Sequence, residues 1–266
     1  MRHKDRVAII TGGGNGIGQG TCEYMAQLGC TVIVADIKED DAHKVAEGIK
    51  KNGGQALAMK VDVTNKSDVE KMVADTLKAY GKIDILFNNA GTDIKGHITE
   101  LKEETWDFLI NLNLKGTFLP TQAVAPSMIE RKYGRIINMS SMAGKTGEPL
   151  TSPYNATKFG VIGFTQSVAL DLGPHNITVN AVCPGAVATE LHKKSVSQSA
   201  AIKGMTPEAF LQEFFIDPTP LGRMAQPLDV AQAVSFLASD EASFITGSTL
   251  NVAGGREMHL RIGEKP

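Results

Sequence analysis

Two hydrophobic rhythms alternate along the chain. Short runs of consecutive apolar residues, such as Val7-Ala8-Ile9-Ile10 and Ile83-Asp84-Ile85-Leu86-Phe87, predict strands. The stretches between them space apolar residues three and four apart, as helices do. Strands are expected over Val7–Thr11, Thr31–Asp36, 56–61, 83–88, 135–139, 177–182 and Thr249–Val252. Helices are expected over 16–28, over Glu39–Lys51, from Ser67 to about Tyr80, and over 228–237. Ser67 followed three residues later by Glu70 has the form of a capping box.

The early strand runs are apolar throughout instead of alternating, which implies cover on both faces, as in a parallel sheet between helical layers. Strand and helix alternate to the end, with no low-complexity stretch and no Pro/Gly/Ser-rich linker. The expectation is a single doubly wound α/β domain over 1–266. Only the segment 189–220 breaks the rhythm, where a short connection would serve. It carries Leu191, Met205, Phe210, Leu211, Phe214, Phe215 and Ile216 among small and polar residues. Because it follows a strand's C-terminal end, where such sheets bind ligands, it reads as a substrate lid. Extra packing or a subunit contact is the other reading.

Composition narrows the partners. A chain of 266 residues, 42% of them hydrophobic, can bury a continuous core without metal or disulfide staples. The formal net charge of −2 gives no reason to expect nucleic acid or an anionic membrane as partner. Cys22, Cys30 and Cys183 match no metal-ligand spacing, so no metal is expected. They read as buried, reduced thiols of a cytoplasmic protein. The apolar run after the charged first six residues stops at Thr11, too short for a signal peptide or a membrane span.

The chemistry begins at Thr11-Gly12-Gly13-Gly14-Asn15-Gly16-Ile17-Gly18, between the first strand and the first helix. Glycines there let the backbone approach a pyrophosphate held by the helix N-terminus; a plain tight loop would look the same out of context. Asp36 ends the second strand, 18 residues after Gly18. A carboxylate at that place accepts the hydroxyls of an adenosine ribose and repels a 2′-phosphate, which favours NAD over NADP. Lys38 nearby would soften that discrimination.

Tyr154 and Lys158 stand four apart in Tyr-Asn-Ala-Thr-Lys, so a helix puts them on one face. A lysine ammonium beside a phenol favours the phenolate and suits it to acid–base work. Ser141 follows the fifth strand, where its hydroxyl can meet a substrate oxygen. Asn113 lies in the helical stretch 106–119, where a buried amide needs partners. His97 reads as a surface histidine, with reach to the substrate as the other reading; His175 and His192 form no ligand set, and Trp106 is expected to pack against the core or a subunit partner. The tail from Glu257 to Pro266 reads as short and polar.

With these residues in view, the sequence resembles the short-chain dehydrogenase/reductase superfamily over nearly its whole length. Gly12, Gly16 and Gly18, the Asp62-Val63 pair, Asn88-Asn89-Ala90-Gly91, Asn113, Ser141, the Tyr154/Lys158 pair and Pro184-Gly185 all occur in the family's order. The resemblance implies a Rossmann-type core of seven parallel strands and a catalytic tetrad of Asn113, Ser141, Tyr154 and Lys158. Tyr154 would be the general acid/base, Ser141 would stabilise the reacting oxygen, and Lys158 would bind the nicotinamide ribose and lower the tyrosine pKa. Asn113 would hold a water in a proton relay. Asn15 and Ile17 join the turn glycines as cofactor contacts, Asp62 and Val63 would flank adenine, and Asn89, Ala90 and Gly91 would line the cleft. Pro184, Gly185, Val187 and Thr189 would hold the nicotinamide end. The family is commonly a homotetramer. Gln19, Gly20 and Asp93 depart from its usual residues; Asp93 puts a carboxylate near the substrate cleft, where it reads first as a solvated loop acid.

Three functions compete. The first is an NAD-dependent dehydrogenase of a secondary alcohol, polyol or sugar-type small molecule, to which the stretch 143–149 is also similar. A 3-oxoacyl thioester reductase is the second, with Arg131, Lys132 and Arg135 as a possible basic patch. The third, a non-catalytic NAD-sensing module, predicts an eroded tetrad, and the tetrad is intact.

Overall fold

Residues 1–256 are described by the computed structural model. The strands are β1 (Val7–Thr11), β2 (Thr31–Asp36), β3 (Gln55–Lys60), β4 (Ile85–Asn88), β5 (Gly134–Met139), β6 (Ile177–Pro184) and β7 (Thr249–Val252). They form one parallel sheet in the order β3-β2-β1-β4-β5-β6-β7. The helices are α1 (Gly16–Gln27), α2 (Glu39–Lys51), α3 (Lys66–Tyr80), α4 (Glu103–Leu109), α5 (Gly116–Arg131), α6 (Ser152–Leu172), α7 (Glu190–Ile202), α8 (Pro207–Leu211) and α9 (Pro227–Leu237).

Side chains alternate across a strand, so successive residues of β1 feed two separate cores. Ala8 and Ile10 pack with Met25 of α1, Val45 of α2 and Val234 of α9. Val7 and Ile9 pack with Met72 of α3, and with Val124 and Met128 of α5. Both faces are covered, which is why the strand runs read as apolar throughout. Truncating a fully buried residue such as Ile9 to alanine would cost roughly 2–5 kcal/mol. Gly20 has its reason in this packing: a Cβ there would lie 2.8 Å from Pro227 Cβ, so the glycine lets α9 close against α1. Its neighbour Gln19 bonds Glu23 on the exposed side of α1.

The chain runs outward from β1 to β3, then crosses back to place β4 on the other side of β1. At that reversal the connections leave the carboxyl ends of β1 and β4 in opposite directions and open a crevice between them.

Several boundaries differ from expectation, each for a local reason. The cap of α3 is Asn65, whose Oδ1 accepts from the N–H groups of Ser67 and Asp68; Ser67 lies inside the helix, and the expected capping box does not form. β4 begins at Ile85 because the buried Asp84 carboxylate is committed to the Val7 N–H at 2.9 Å and to Arg131 at 2.7 Å. Arg131 and Arg135 therefore lie at the amino-terminal edge of the sheet, Arg135 being 2% exposed and paired with Asp240. No basic patch from these residues stands at the mouth of the crevice. The helical stretch around Asn113 is α4 and α5 joined by a wider π turn, Ile110–Lys115. The 189–220 segment is helical, with a small core of Val196, Ala200 and Phe210 backed by Met205, Leu211, Phe214 and Phe215.

Candidate active site

The carboxyl ends of the strands open into a cleft of about 680 Å³. Of the residues expected to be catalytic or to hold the cofactor, all but Gly18 and Asn113 line it. Those two stand behind the wall and shape it.

Gly12 turns with φ +62°, and a Cβ there would come within 2.9 Å of Ala90 Cα. A Cβ on Gly18 would lie 2.0 Å from the Gly12 carbonyl oxygen. The turn thus folds onto its own helix and onto the end of β4, which only glycines permit. Asn89 Nδ2 locks the arrangement by donating to the carbonyls of Thr11 and Gly12, both at 3.0 Å. Asn15, in the N-cap position of α1, makes no side-chain cap, and the first turn holds no acid. The first amides of α1 are left for an anion, and the residues present fit a dinucleotide pyrophosphate.

Asp36 sits at the end of β2. One carboxylate oxygen accepts from the Gly14 N–H at 2.9 Å and the other from the Lys38 N–H at 3.0 Å. Each oxygen keeps a lone pair for a hydroxyl. Asp41 of α2 stands beside it, since a Cβ on Gly14 would approach both Asp36 and Asp41. The Lys38 ammonium lies 3.9 Å from Asp41 and is mostly exposed. Asp62 Oδ1 caps its own turn by accepting from Thr64 N–H and Oγ1, which sets buried Val63 at the cleft wall.

The reacting end is built from β5, α6 and the π turn. Ser141 Oγ accepts from the Ala143 N–H at 3.1 Å, so its own proton is available to the cleft. Lys158, 4% exposed, donates from Nζ to the Met139 carbonyl at 2.9 Å and lies 5.5 Å from the centroid of the Tyr154 ring. Burial lowers its pKa to about 8. Tyr154 opens part of its surface to the cleft but is closely surrounded. Burial pushes its phenol well above the ordinary value, and the hydrogen bond with Ser141 opposes that rise. The expected lowering by Lys158 is therefore outweighed: desolvation of both groups dominates in the folded chain. Asn113 Oδ1 accepts from the Thr92 N–H at 3.0 Å, and its Nδ2 donates to the Thr92 carbonyl at 2.9 Å.

Elsewhere on the cleft wall, Pro184 ends β6 and Gly185 follows it, with the Gly185 N–H bonded to the Val252 carbonyl. Val187 is buried and bridges to Ala225, and Thr189 caps α7 by accepting from the His192 N–H. His97 does not reach the cleft; it is exposed and bonds Thr99 at 2.7 Å. His175 stands in a short turn after α6. Trp106 is 40% exposed. The tail from Glu257 to Pro266 lies outside the described residues.

Other residues organise the site without any pattern in the sequence to mark them. Asn155, inside Tyr-Asn-Ala-Thr-Lys, donates to the carbonyls of Ala143 and Thr146 and so fixes the loop after Ser141. Ser140 donates to the Lys158 carbonyl at 2.9 Å. Asn88 and Asn138 link Thr121 to Thr165 through three buried bonds at 2.9 Å, tying β4 and β5 to α5 and α6. The cleft also takes in His192, Phe215 and Arg256, whose positions depend on where the 189–220 segment and the chain after β7 fold back. Among the described residues there is no cluster of His, Cys, Asp and Glu able to hold a metal ion.

With that geometry established, the relatives are informative. Residues 6–200 match the family described as short chain dehydrogenase. The chain is 39% identical to the BbsD subunit of a hydroxy(phenyl)methylsuccinyl-CoA dehydrogenase from Thauera aromatica, covering 97% of this chain and 99% of that one. It is 40% identical to the 3-oxoacyl acyl-carrier-protein reductase FabG of Thermotoga maritima, over 96% and 99% of the two chains. The crystal structure of levodione reductase superposes with a TM-score of 0.92 at 30% identity, over 97% of this chain and all of that one.

Proposed function

Because the chain belongs to the short chain dehydrogenase family, we propose that it is an oxidoreductase moving a hydride between NAD(H) and a secondary alcohol or its ketone, of polyol or sugar type. The observation that carries this reading is the gathering of Ser141, Tyr154 and Lys158 in one cleft with an uncapped helix N-terminus and Asp36.

NAD, when bound, supplies the hydride acceptor. The chain's own residues do the rest. Tyr154 takes the proton from the substrate hydroxyl in oxidation and returns it in reduction. The Ser141 hydroxyl donates to the substrate oxygen as charge develops there. Lys158, anchored at the Met139 carbonyl, keeps two N–H groups for ribose hydroxyls. Its cation stabilises the phenolate that burial disfavours. Asn113 acts as a positioning residue, holding the Thr92 backbone and the wall at Gly91. The two carboxylates at Asp36 and Asp41 favour NAD, since a 2′-phosphate would meet both.

The helical 189–220 segment is proposed as the substrate lid, on the support of Thr189, His192, Ser195 and Phe215 in the cleft wall. Exposed apolar side chains on α4, α5 and α6, among them Trp106, Phe118, Phe159 and Leu170, support a homo-oligomer, with a tetramer as the family pattern. Three buried free thiols suit a reducing cytoplasm. No helix among the described residues is long and apolar enough to cross a membrane.

Reduction of 3-oxoacyl thioesters is the second reading, favoured by the 40% identity to a reductase of that class. The absence of Arg131 and Arg135 from the cleft speaks against it. An NADH-absorbance assay with NAD and NADP in parallel, against polyols, sugar acids and acyl-thioester analogues, separates the two. NAD-linked turnover of a secondary alcohol that disappears in Tyr154→Phe supports the first reading. Strict NADP dependence with 3-oxoacyl substrates overturns it, and cofactor binding without turnover of any substrate supports the sensing module.

A further inference from the structure

Beyond the reacting groups, the cleft wall holds two nitrogen-bearing side chains grouped on one aromatic ring. His192, on the first turn of α7, has a buried Nε2 without a hydrogen-bond partner. Arg256, just after β7, lines the same cleft half-buried, and no carboxylate among the described residues lies within ion-pair distance of it. One aromatic ring joins them. Phe215 packs edge-on against His192 with centroids 4.7 Å apart, and the Arg256 guanidinium lies 5.2 Å from its centroid. The buried imidazole nitrogen represents desolvation without compensation inside the protein, and the half-buried guanidinium beside it has no ion pair among the described residues.

The electrostatics point the same way. Burial lowers the His192 pKa to about 4, and the positive charges of Lys95 and Arg256 add to that effect, so three basic groups converge on one region. Burial also lowers Arg256, opposed only by the attraction of Glu148. Lys95 reaches the region from the loop before α4 and donates to Ser199 of α7. The α1 N-terminus already provides for a pyrophosphate, so this second basic region faces something else.

We propose that Arg256 and His192, set against Phe215, form a recognition site for a carboxylate carried by the substrate, so that the secondary alcohol is that of a hydroxy acid, such as a sugar acid, or its oxo counterpart. This rests on the reading of the cleft as that of an NAD-linked dehydrogenase. The guanidinium fork binds a carboxylate through two parallel N–H···O bonds, and neutral His192 donates a third. The aromatic ring holds the guanidinium plane in place, and binding gives the orphaned His192 nitrogen its partner. A neutral alcohol of the same shape would leave that buried nitrogen unpaired, which is a strong way for a polar site to discriminate.

The test uses a graded set of oxo acids, 4-oxopentanoate, 5-oxohexanoate and 6-oxoheptanoate, each beside its methyl ester, reduced with NADH. At least one acid is expected to exceed its ester in kcat/KM by about 10- to 100-fold. Arg256→Gln is expected to bring that ratio close to one while leaving NADH affinity where it was. Arg256→Lys, which keeps the charge and loses the fork, should give an intermediate ratio and guards against a folding defect in the first variant. Esters equal to their acids, an unchanged ratio in Arg256→Gln, or weakened NADH binding in that variant would each overturn the proposal.

A second readout needs no turnover. The His192 ring resonance, assigned by its loss in His192→Gln, should titrate at higher pH with 5-oxohexanoate on the NAD-loaded protein and not with the ester. Absence of that shift sinks the carboxylate site. Failure of NADH-linked reduction, or activity surviving in Tyr154→Phe, would instead sink the dehydrogenase reading, and the His192 titration would still decide the site.

Discussion

Asn113 and Thr92 exchange two hydrogen bonds in opposite directions, amide oxygen to backbone N–H and amide nitrogen to backbone carbonyl, across 21 residues of chain. The pair closes the cleft wall where β4 gives way to its loop. It also explains Gly91, because a Cβ there would lie 2.8 Å from Asn113 Oδ1. The π turn carrying Asn113 is what aims its amide at that loop rather than along the helix.

Replacing Asn113 with alanine leaves the Thr92 backbone groups and Thr157 Oγ1 short of a partner in a region that is 1% exposed at Asn113. A loss of roughly 1–3 kcal/mol is expected from urea denaturation. Activity should fall further than stability explains, with kcat reduced and NADH affinity kept. Asn113→Asp, which keeps the shape and loses the donor to Thr92, should restore little. Full kcat in the alanine variant would remove Asn113 from the positioning role.

On the proposed reading Asp36 carries the preference for NAD. Asp36→Asn should lower kcat/KM with NAD by about 10-fold or more and raise that with NADP, since the carboxylate at the end of β2 that would repel a 2′-phosphate is gone. The double variant Asp36→Asn with Asp41→Asn should shift the ratio further toward NADP, as Asp41 flanks the same glycine. An unchanged NAD-to-NADP ratio in both would show that discrimination lies elsewhere.

Much of this architecture is legible in the sequence because the signals are local. The apolar strand runs, the glycine turn and Asp36 follow one another along a single β-α-β unit, and the Tyr154/Lys158 spacing is one helical turn. What the sequence hides is long-range. Asp41 reads as one acid among three at the start of α2, yet packing against Gly14 places it beside Asp36. His192 and Arg256 are 64 residues apart in the chain, and only the ring of Phe215 brings them together. Asn65 took the cap from Ser67 because both are good caps two residues apart, and local pattern does not rank them. The raised pKa of Tyr154 is hidden for the same reason: neighbour charge is visible in sequence spacing, and burial is not.

On the proposed mechanism Asp93 tunes the acid–base step. Its carboxylate, partly buried with one oxygen unpartnered, holds the Tyr154 phenol up together with burial, the larger cause. A phenol that must lose its proton to act as base works better as pH rises. Asp93→Asn removes the negative charge, favours the phenolate and should move the alkaline rise of kcat/KM for oxidation to lower pH. A rise that stays in place or moves upward would separate Asp93 from Tyr154.

His3 links pH to stability at the far end of the molecule. It is 1% exposed, bonded through Nε2 to Ser235 at 2.9 Å, and burial, aided by Arg2, lowers its pKa from 6.5 to about 4. The unfolded chain therefore binds a proton that the folded chain refuses between those values. The folded state loses stability as pH falls from about 6.5, and the loss levels off below about 4. The full effect is on the order of 3 kcal/mol, from roughly 1.4 kcal/mol for each pH unit of difference. His192, lowered to about 4 by the same cause, adds a second contribution in the same window. Guanidinium titrations at several pH values between 7.5 and 4.5 should show the midpoint falling with acidity. In His3→Gln, where no proton can be taken up at that position, the fall should be shallower. An equal slope in wild type and variant would mean that His3 keeps an ordinary pKa in the folded protein.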